Sequence, residues 1–300
     1  MRLDDEQESS NIVDRRGEGG GGMGGFPMRL GGGGMGIGTL IIIGVLALVM
    51  GVNPLELLGA AGGGGVGGVG GPRVGQPQVT APARPATLSG EHDRFIAKVL
   101  GSTERTWAAQ FPEQVGQAYP KPKLVLFEGG VNSGCGPASS GMGPFYCPAD
   151  RNVYLDASFF DELSRRFGAP GDFAAAYVIA HEVGHHLQTV LGISEQVQNA
   201  RRSRGQADGN ALSVRQELQA DCFAGVWAHH NQDLLEPGDI EEGLRAAQAI
   251  GDDTLQRQAG ARVNPESFTH GTSDQRMRWL QRGLQSGRLA DCDTFAARSL

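Results

Sequence analysis

The five residues His181-Glu182-Val183-Gly184-His185 set two imidazoles four positions apart, with a carboxylate directly after the first. On a helix, positions i and i+4 share a face, so both rings can turn toward one cation. Glu182 is rotated by about 100° from its neighbour on a 3.6-residue turn. That offset makes it a poor ligand and a good base for a water held at the cation. A divalent metal acidifies such a water and a carboxylate accepts its proton, which is the chemistry of metal-assisted hydrolysis. Around the motif Val178, Ile179, Leu187, Val190 and Leu191 continue an apolar face, and Gly192 is a helix stop. A buried helix whose histidines only hydrogen-bond is the plainer alternative.

A catalytic zinc site needs a third protein ligand and an open fourth position. Glu217-Leu218-Gln219-Ala220-Asp221 on the next helical stretch offers one. Glu217 is the candidate ligand. Asp221, one turn on, can accept the free N–H of a ligand histidine and so fix its tautomer. Small Ala220 and Ala224 would let the two helices approach closely. In His270-Gly271-Thr272-Ser273-Asp274-Gln275-Arg276, His270 could donate to the oxygen that gains charge in amide hydrolysis, with Arg276 bracing the site. An exposed turn of no importance is nearly as good a reading of that segment. His186, His229, His230 and His92 are read as non-ligands. The expected cofactor is one Zn²⁺ per chain, although two imidazoles and a carboxylate also suit other divalent ions.

The elements that must position these groups lie in the last two-thirds of the chain. Of 48 glycines, most crowd the first ninety residues, where no folded core is expected. Folded sequence should begin near Glu91, with Phe95, Val99, Trp107 and Phe111 on one helical face. Residues 123–128 and 145–156 read as extended, separated by a Gly/Ser-rich loop. Helical pattern follows over 157–167, 172–191, 194–204, 210–230, 238–250 and 273–286. A small sheet followed by helices predicts an α+β catalytic domain over residues 91–300.

Residues 36–52 read GIGTLIIIGVLALVMGV without a charge; extended to 58, the run is about as long as a bilayer-spanning helix needs. Arg2, Arg15, Arg16 and Arg29 precede it, and Arg73 is the first basic residue after it. The positive-inside rule then predicts a cytoplasmic tail (1–35), a single-pass transmembrane helix (36–58), a Gly/Pro linker (59–90) and a catalytic domain outside the membrane, periplasmic or extracellular. A cleaved signal peptide is the less favoured alternative. The net charge of −7, with no basic stripe, gives no reason to expect nucleic acid. Oligomeric state is left open. Cys135, Cys147, Cys222 and Cys292 form no C-x-x-C pair, and an even number suits two disulfides in an oxidising compartment. Of three connectivities, Cys135–Cys147 and Cys222–Cys292 are favoured; four buried free thiols are the alternative.

The segments SSNIVDRRG (9–17), AHEVGHHLQ (180–188), RQELQADCFAGVWA (215–228) and FTHGTSDQRMRW (268–279), with the single apolar run, resemble a bacterial family of predicted, membrane-anchored neutral zinc metallopeptidases. More remotely, H-E-x-x-H followed by E-x-x-x-D is similar to the gluzincins, which implies a zincin-like catalytic domain. The resemblance implies His181, His185 and Glu217 as zinc ligands, Glu182 as general base, Asp221 as support and His270 as a transition-state donor. The resemblance does not imply a substrate; the leading reading is an endopeptidase acting on a peptide or protein substrate in the periplasm or at the outer cell surface. A non-catalytic zinc-binding scaffold of the cell envelope is the alternative function, and an intact Glu182 argues against it. An intramembrane protease is disfavoured, because Asp172, Gln188 and the arginines at 201, 202 and 204 are too polar to span.

Overall fold

The computed structural model describes residues 1–17 and 90–300, and these form a mixed α+β body, mostly helical with a small sheet. The run at 36–58 and nearly all of the linker at 59–90 lie outside the described residues. Among the described residues, no helix is long and apolar enough to cross a membrane.

Helix α1 (Glu91–Val115) buries Ile96, Val99, Leu100, Trp107 and Phe111 and ends at Gly116, whose φ of 78° is readily available only to glycine. Strands β1 (Ile12–Asp14), β2 (Lys123–Leu126), β5 (Phe145–Cys147) and β6 (Asn152–Leu155) form one sheet in the order β1-β2-β6-β5. The first three strands in that order are parallel, and β5 runs antiparallel to β6. Between β2 and β5, β3 (Gly130–Ser133) and β4 (Gly136–Ser139) make a separate hairpin. The Cys135–Cys147 disulfide staples this hairpin to β5.

Helices α2 (Ser158–Arg165), α3 (Asp172–Val190), α4 (Ile193–Arg202), α5 (Gln206–His229), α6 (Asp239–Ala249), α7 (Asp252–Gln258) and α8 (Ser273–Ser286) follow. Helix α3 is apolar nearly all round, as a central helix must be, and packs between the sheet side and α5. Helices α5 and α8 approach to backbone contact. A Cβ on Gly225 would lie 2.1 Å from the Leu280 carbonyl oxygen, and one on Gly283 would lie 1.9 Å from that of Cys222. The Cys222–Cys292 disulfide ties the C-terminal segment to α5. Both favoured cysteine pairings are thus present, and no described cysteine is free.

The main correction concerns the first seventeen residues. Folded sequence does not begin at Glu91: β1 adds a parallel strand to β2, with Ile12 opposite Leu124 and Asp14 opposite Leu126. Leu3 and Ile12 join the core. Ser9 donates to Glu104 Oε1 (2.6 Å), and its own N–H reaches the Ala97 carbonyl (2.9 Å). The Met1 ammonium lies 2.6 Å from Asp172 and 3.1 Å from Glu236. A three-residue strand carries no readable period, which is why the segment reads as featureless. The β3–β4 hairpin and seven-residue α7 escape a sequence reading for the same reason. Residues 145–156, read as one extended stretch, are two strands joined by a turn in which Arg151 takes φ 59°.

Candidate metal centre

Helix α3 presents His181 and His185 on one face, with ring centroids 4.8 Å apart, and α5 brings Glu217 against both. Close approach of the helices makes this possible. A Cβ on Gly184 would meet the Ala220 carbonyl oxygen at 3.0 Å, so the glycine inside the motif and the alanine inside the acidic pair are contact points.

One Glu217 oxygen lies 3.2 Å from His181 Nε2 and the other 3.4 Å from His185 Nε2. The three donor atoms fall within 4.8 Å of one another. A tetrahedral zinc with bonds near 2.0–2.1 Å places neighbouring ligand atoms ~3.3 Å apart, so the set fits that ion. The outer nitrogens are both committed. His181 Nδ1 is 2.8 Å from Asp221 Oδ1, and His185 Nδ1 is 2.8 Å from Gln188 Oε1. Each partner accepts the Nδ1–H, so Nε2 is the nitrogen that faces Glu217 and the one that, once deprotonated, can ligate a metal.

Asp221 is fully buried and serves several donors. It accepts from Tyr177 Oη (2.6 Å), from Arg276 Nε (2.9 Å) and from Arg276 Nη2 (2.8 Å), besides His181. Arg276 is 2% exposed and also donates to Tyr177 Oη (3.1 Å). It therefore braces the site by pinning Asp221. Burial works to raise the Asp221 pKa, but Arg276 and His181 outweigh it and hold the carboxyl at about 2. In the same way burial would lower the His185 pKa, yet Glu217, joined by Glu182 and Gln188, pushes it up to about 9. Glu217 is held well below the usual carboxylate range, because His185 and His270 overcome the effect of its burial. Cation and anions are thus already matched around the position a divalent ion would take.

Glu182 lines the same cleft, and burial is the first cause of its raised pKa. His270 lines the cleft as well. Its loop is gathered by Asp252, which accepts backbone N–H groups from Thr269 (2.7 Å), His270 (2.6 Å) and Gly271 (3.1 Å). His270 Nδ1 is 3.3 Å from Asp252 Oδ1, leaving Nε2 for the cleft. The cleft encloses about 380 Å³, and Met142, Phe159, Phe167, Val178, Ile250 and Leu255 make much of its wall apolar.

The remaining histidines are engaged elsewhere. His186 Nε2 meets the Pro120 carbonyl (2.5 Å), and burial lowers its pKa to about 4. His229 and His230 meet the carbonyls of Leu284 and Gly287, and His92 is exposed. Sequence reasoning missed Gln188, Tyr177 and Asp252. For Gln188 a signal existed, since it lies three residues after His185, one helical turn away. Gln188 is itself held by the Gln216 carbonyl (2.7 Å) and Gln219 (3.1 Å).

Comparison with known proteins agrees with this geometry. A family profile described as "Putative neutral zinc metallopeptidase" matches residues 1–295. The uncharacterized protein YpfJ of Escherichia coli is 49% identical over 298 residues, covering 98% of this chain and 99% of that one. Uncharacterized proteins of Mycobacterium bovis and Mycobacterium tuberculosis are 43% identical over 212 residues, covering 66% of this chain and 69% of theirs. No solved structure matches. The chain belongs to the neutral zinc metallopeptidase family that this profile describes.

Proposed function

We propose that this chain is a zinc peptidase acting outside the cytoplasmic membrane, with His181, His185 and Glu217 as the metal's ligands and Glu182 as the general base. The observation that carries the reading is the convergence of three donors from two helices, both histidine tautomers set by Asp221 and Gln188, beside a buried glutamate in one cleft. Zinc, when bound, lowers the pKa of a water and stabilises negative charge on oxygen.

The chain's own residues do the rest. Glu182 takes a proton from the attacking water and passes it to the departing amine, and its raised pKa makes the carboxylate a stronger base for the first half of that exchange. His270 presents Nε2–H to the carbonyl oxygen as charge develops there, with Asp252 holding the ring in place. Arg276 and Tyr177 keep Asp221 ionised and oriented, and Asp221 in turn keeps His181 Nε2 on the ligand side. The apolar wall favours peptides with a large hydrophobic side chain next to the scissile bond. Two disulfides support an oxidising compartment, and a scaffold role would leave the buried Glu182 without purpose.

The test is zinc content of the purified full chain, wild type beside Glu217→Ala. One zinc per wild-type chain and little in Glu217→Ala supports the ligand set; full zinc in Glu217→Ala means the third ligand is misplaced.

A further inference from the structure

The apolar run at 36–58 divides the chain into residues 1–35 and 59–300, and a single crossing would put these on opposite sides of a membrane. The contacts of the first seventeen residues are incompatible with that separation. Strand β1 is hydrogen-bonded to β2: the Leu124 N–H reaches the Asn11 carbonyl, and the Arg15 N–H reaches that of Leu126, at 2.9 and 2.8 Å. Hydrogen-bonded strands lie about 4.8 Å apart, whereas the hydrocarbon core of a bilayer is about 30 Å thick.

The contact extends well beyond one strand. Ile12 and Leu3 are buried in the core. Ser9 and Asn11 share Glu104 Oε1 with each other, at 2.6 and 2.8 Å, while Lys121 takes the second oxygen at 2.9 Å. Lys98 donates to the Leu3 carbonyl at 2.7 Å. A Cβ on Gly101 of α1 would sit 2.1 Å from the Gln7 carbonyl oxygen, so the helix is shaped to let this segment pass.

The arginines that suggest a cytoplasmic N-terminus have other work. Arg2 donates to the Asp233 carbonyl (2.8 Å) and Arg15 to that of Asn132 (2.9 Å). Arg16 bridges Asp14 and Asp93, with nitrogens 2.6 and 2.8 Å from their carboxylates. Three of the four basic residues before the apolar run are therefore accounted for by the fold, and they no longer weigh as topology signals.

We propose that residues 1–17 and 90–300 lie on the same side of the membrane. A single-pass anchor with its two ends on opposite sides does not fit these contacts. This inference is independent of the peptidase reading, because it uses no residue of the metal centre.

The test uses the full chain in bacterial membranes, with one epitope inserted after Gly20 and a second after Leu300. Protease is added to intact spheroplasts and, separately, to lysed ones. Both epitopes removed from outside, or both protected until lysis, is the expected result. One removed and the other protected overturns the proposal. A second measurement does not depend on the inserted tags: Ile12→Ala in the purified full chain should lower Tm by about 5–15 °C, the effect of emptying a buried isoleucine site. An unchanged Tm would mean that the N-terminal segment is not docked in the mature protein, and would overturn the proposal as well.

Discussion

Asp221→Asn separates what holds the site together from what binds metal. Asp221 accepts four hydrogen bonds, from His181, Tyr177 and two nitrogens of Arg276, all within 3.0 Å. Removing its charge leaves a guanidinium that is 2% exposed without a counter-ion. Breaking one side of a buried ion pair costs about 3–5 kcal/mol, and losing the carboxylate behind a ligand histidine lowers metal affinity about 10- to 100-fold. Urea unfolding of the metal-free protein reads the first effect, and competition with a chromophoric chelator reads the second. Adding Arg276→Met removes the stranded cation, so the double variant should regain more than half of the lost stability while its zinc affinity stays low. The wild type should also lose stability in acid. With a folded pKa of about 2 against an ordinary 3.8, Asp221 contributes fully above about pH 4, and the contribution disappears as pH falls through 2. At roughly 1.4 kcal/mol per pH unit, that difference is about 2 kcal/mol. Stability of Asp221→Asn within about 0.5 kcal/mol of wild type, or zinc affinity restored by Arg276→Met, would refute the reasoning.

Two further outcomes follow from the packing and the cleft. His270→Gln should keep its zinc and lower kcat about 10²- to 10³-fold, as loss of an oxyanion donor does; zinc content and peptide turnover measured together check this. Gly283→Ala would force a methyl group into the Cys222 carbonyl oxygen, which a Cβ would approach to 1.9 Å, and should cost at least about 1–3 kcal/mol in urea unfolding with no direct effect on metal affinity.

The chemistry was legible because it is local. His181 and His185, and likewise Glu217 and Asp221, are one helical turn apart, so sequence spacing alone puts each pair on one face. That the two faces meet was also readable in part, from the small residues at Ala220 and Ala224. What could not be read depends on chain segments far apart. Asp252 looks like an ordinary acid at a helix start, yet it gathers the N–H groups of residues 269–271, and this needs α6, α7 and α8 already in place. Strand β1 has only three residues and gains its meaning from β2, more than a hundred positions away. The partners of the N-terminal arginines, carbonyls and carboxylates far along the chain, are likewise supplied only by the fold.

The most direct test of the central claim is peptide hydrolysis by the zinc-loaded full chain, wild type beside Glu182→Gln, with zinc content measured on the same samples. Equal zinc in both and a fall in kcat of about 10²- to 10⁴-fold in Glu182→Gln is the predicted result, because only the base is lost. Hydrolysis by Glu182→Gln at the wild-type rate, with its zinc intact, would contradict the account.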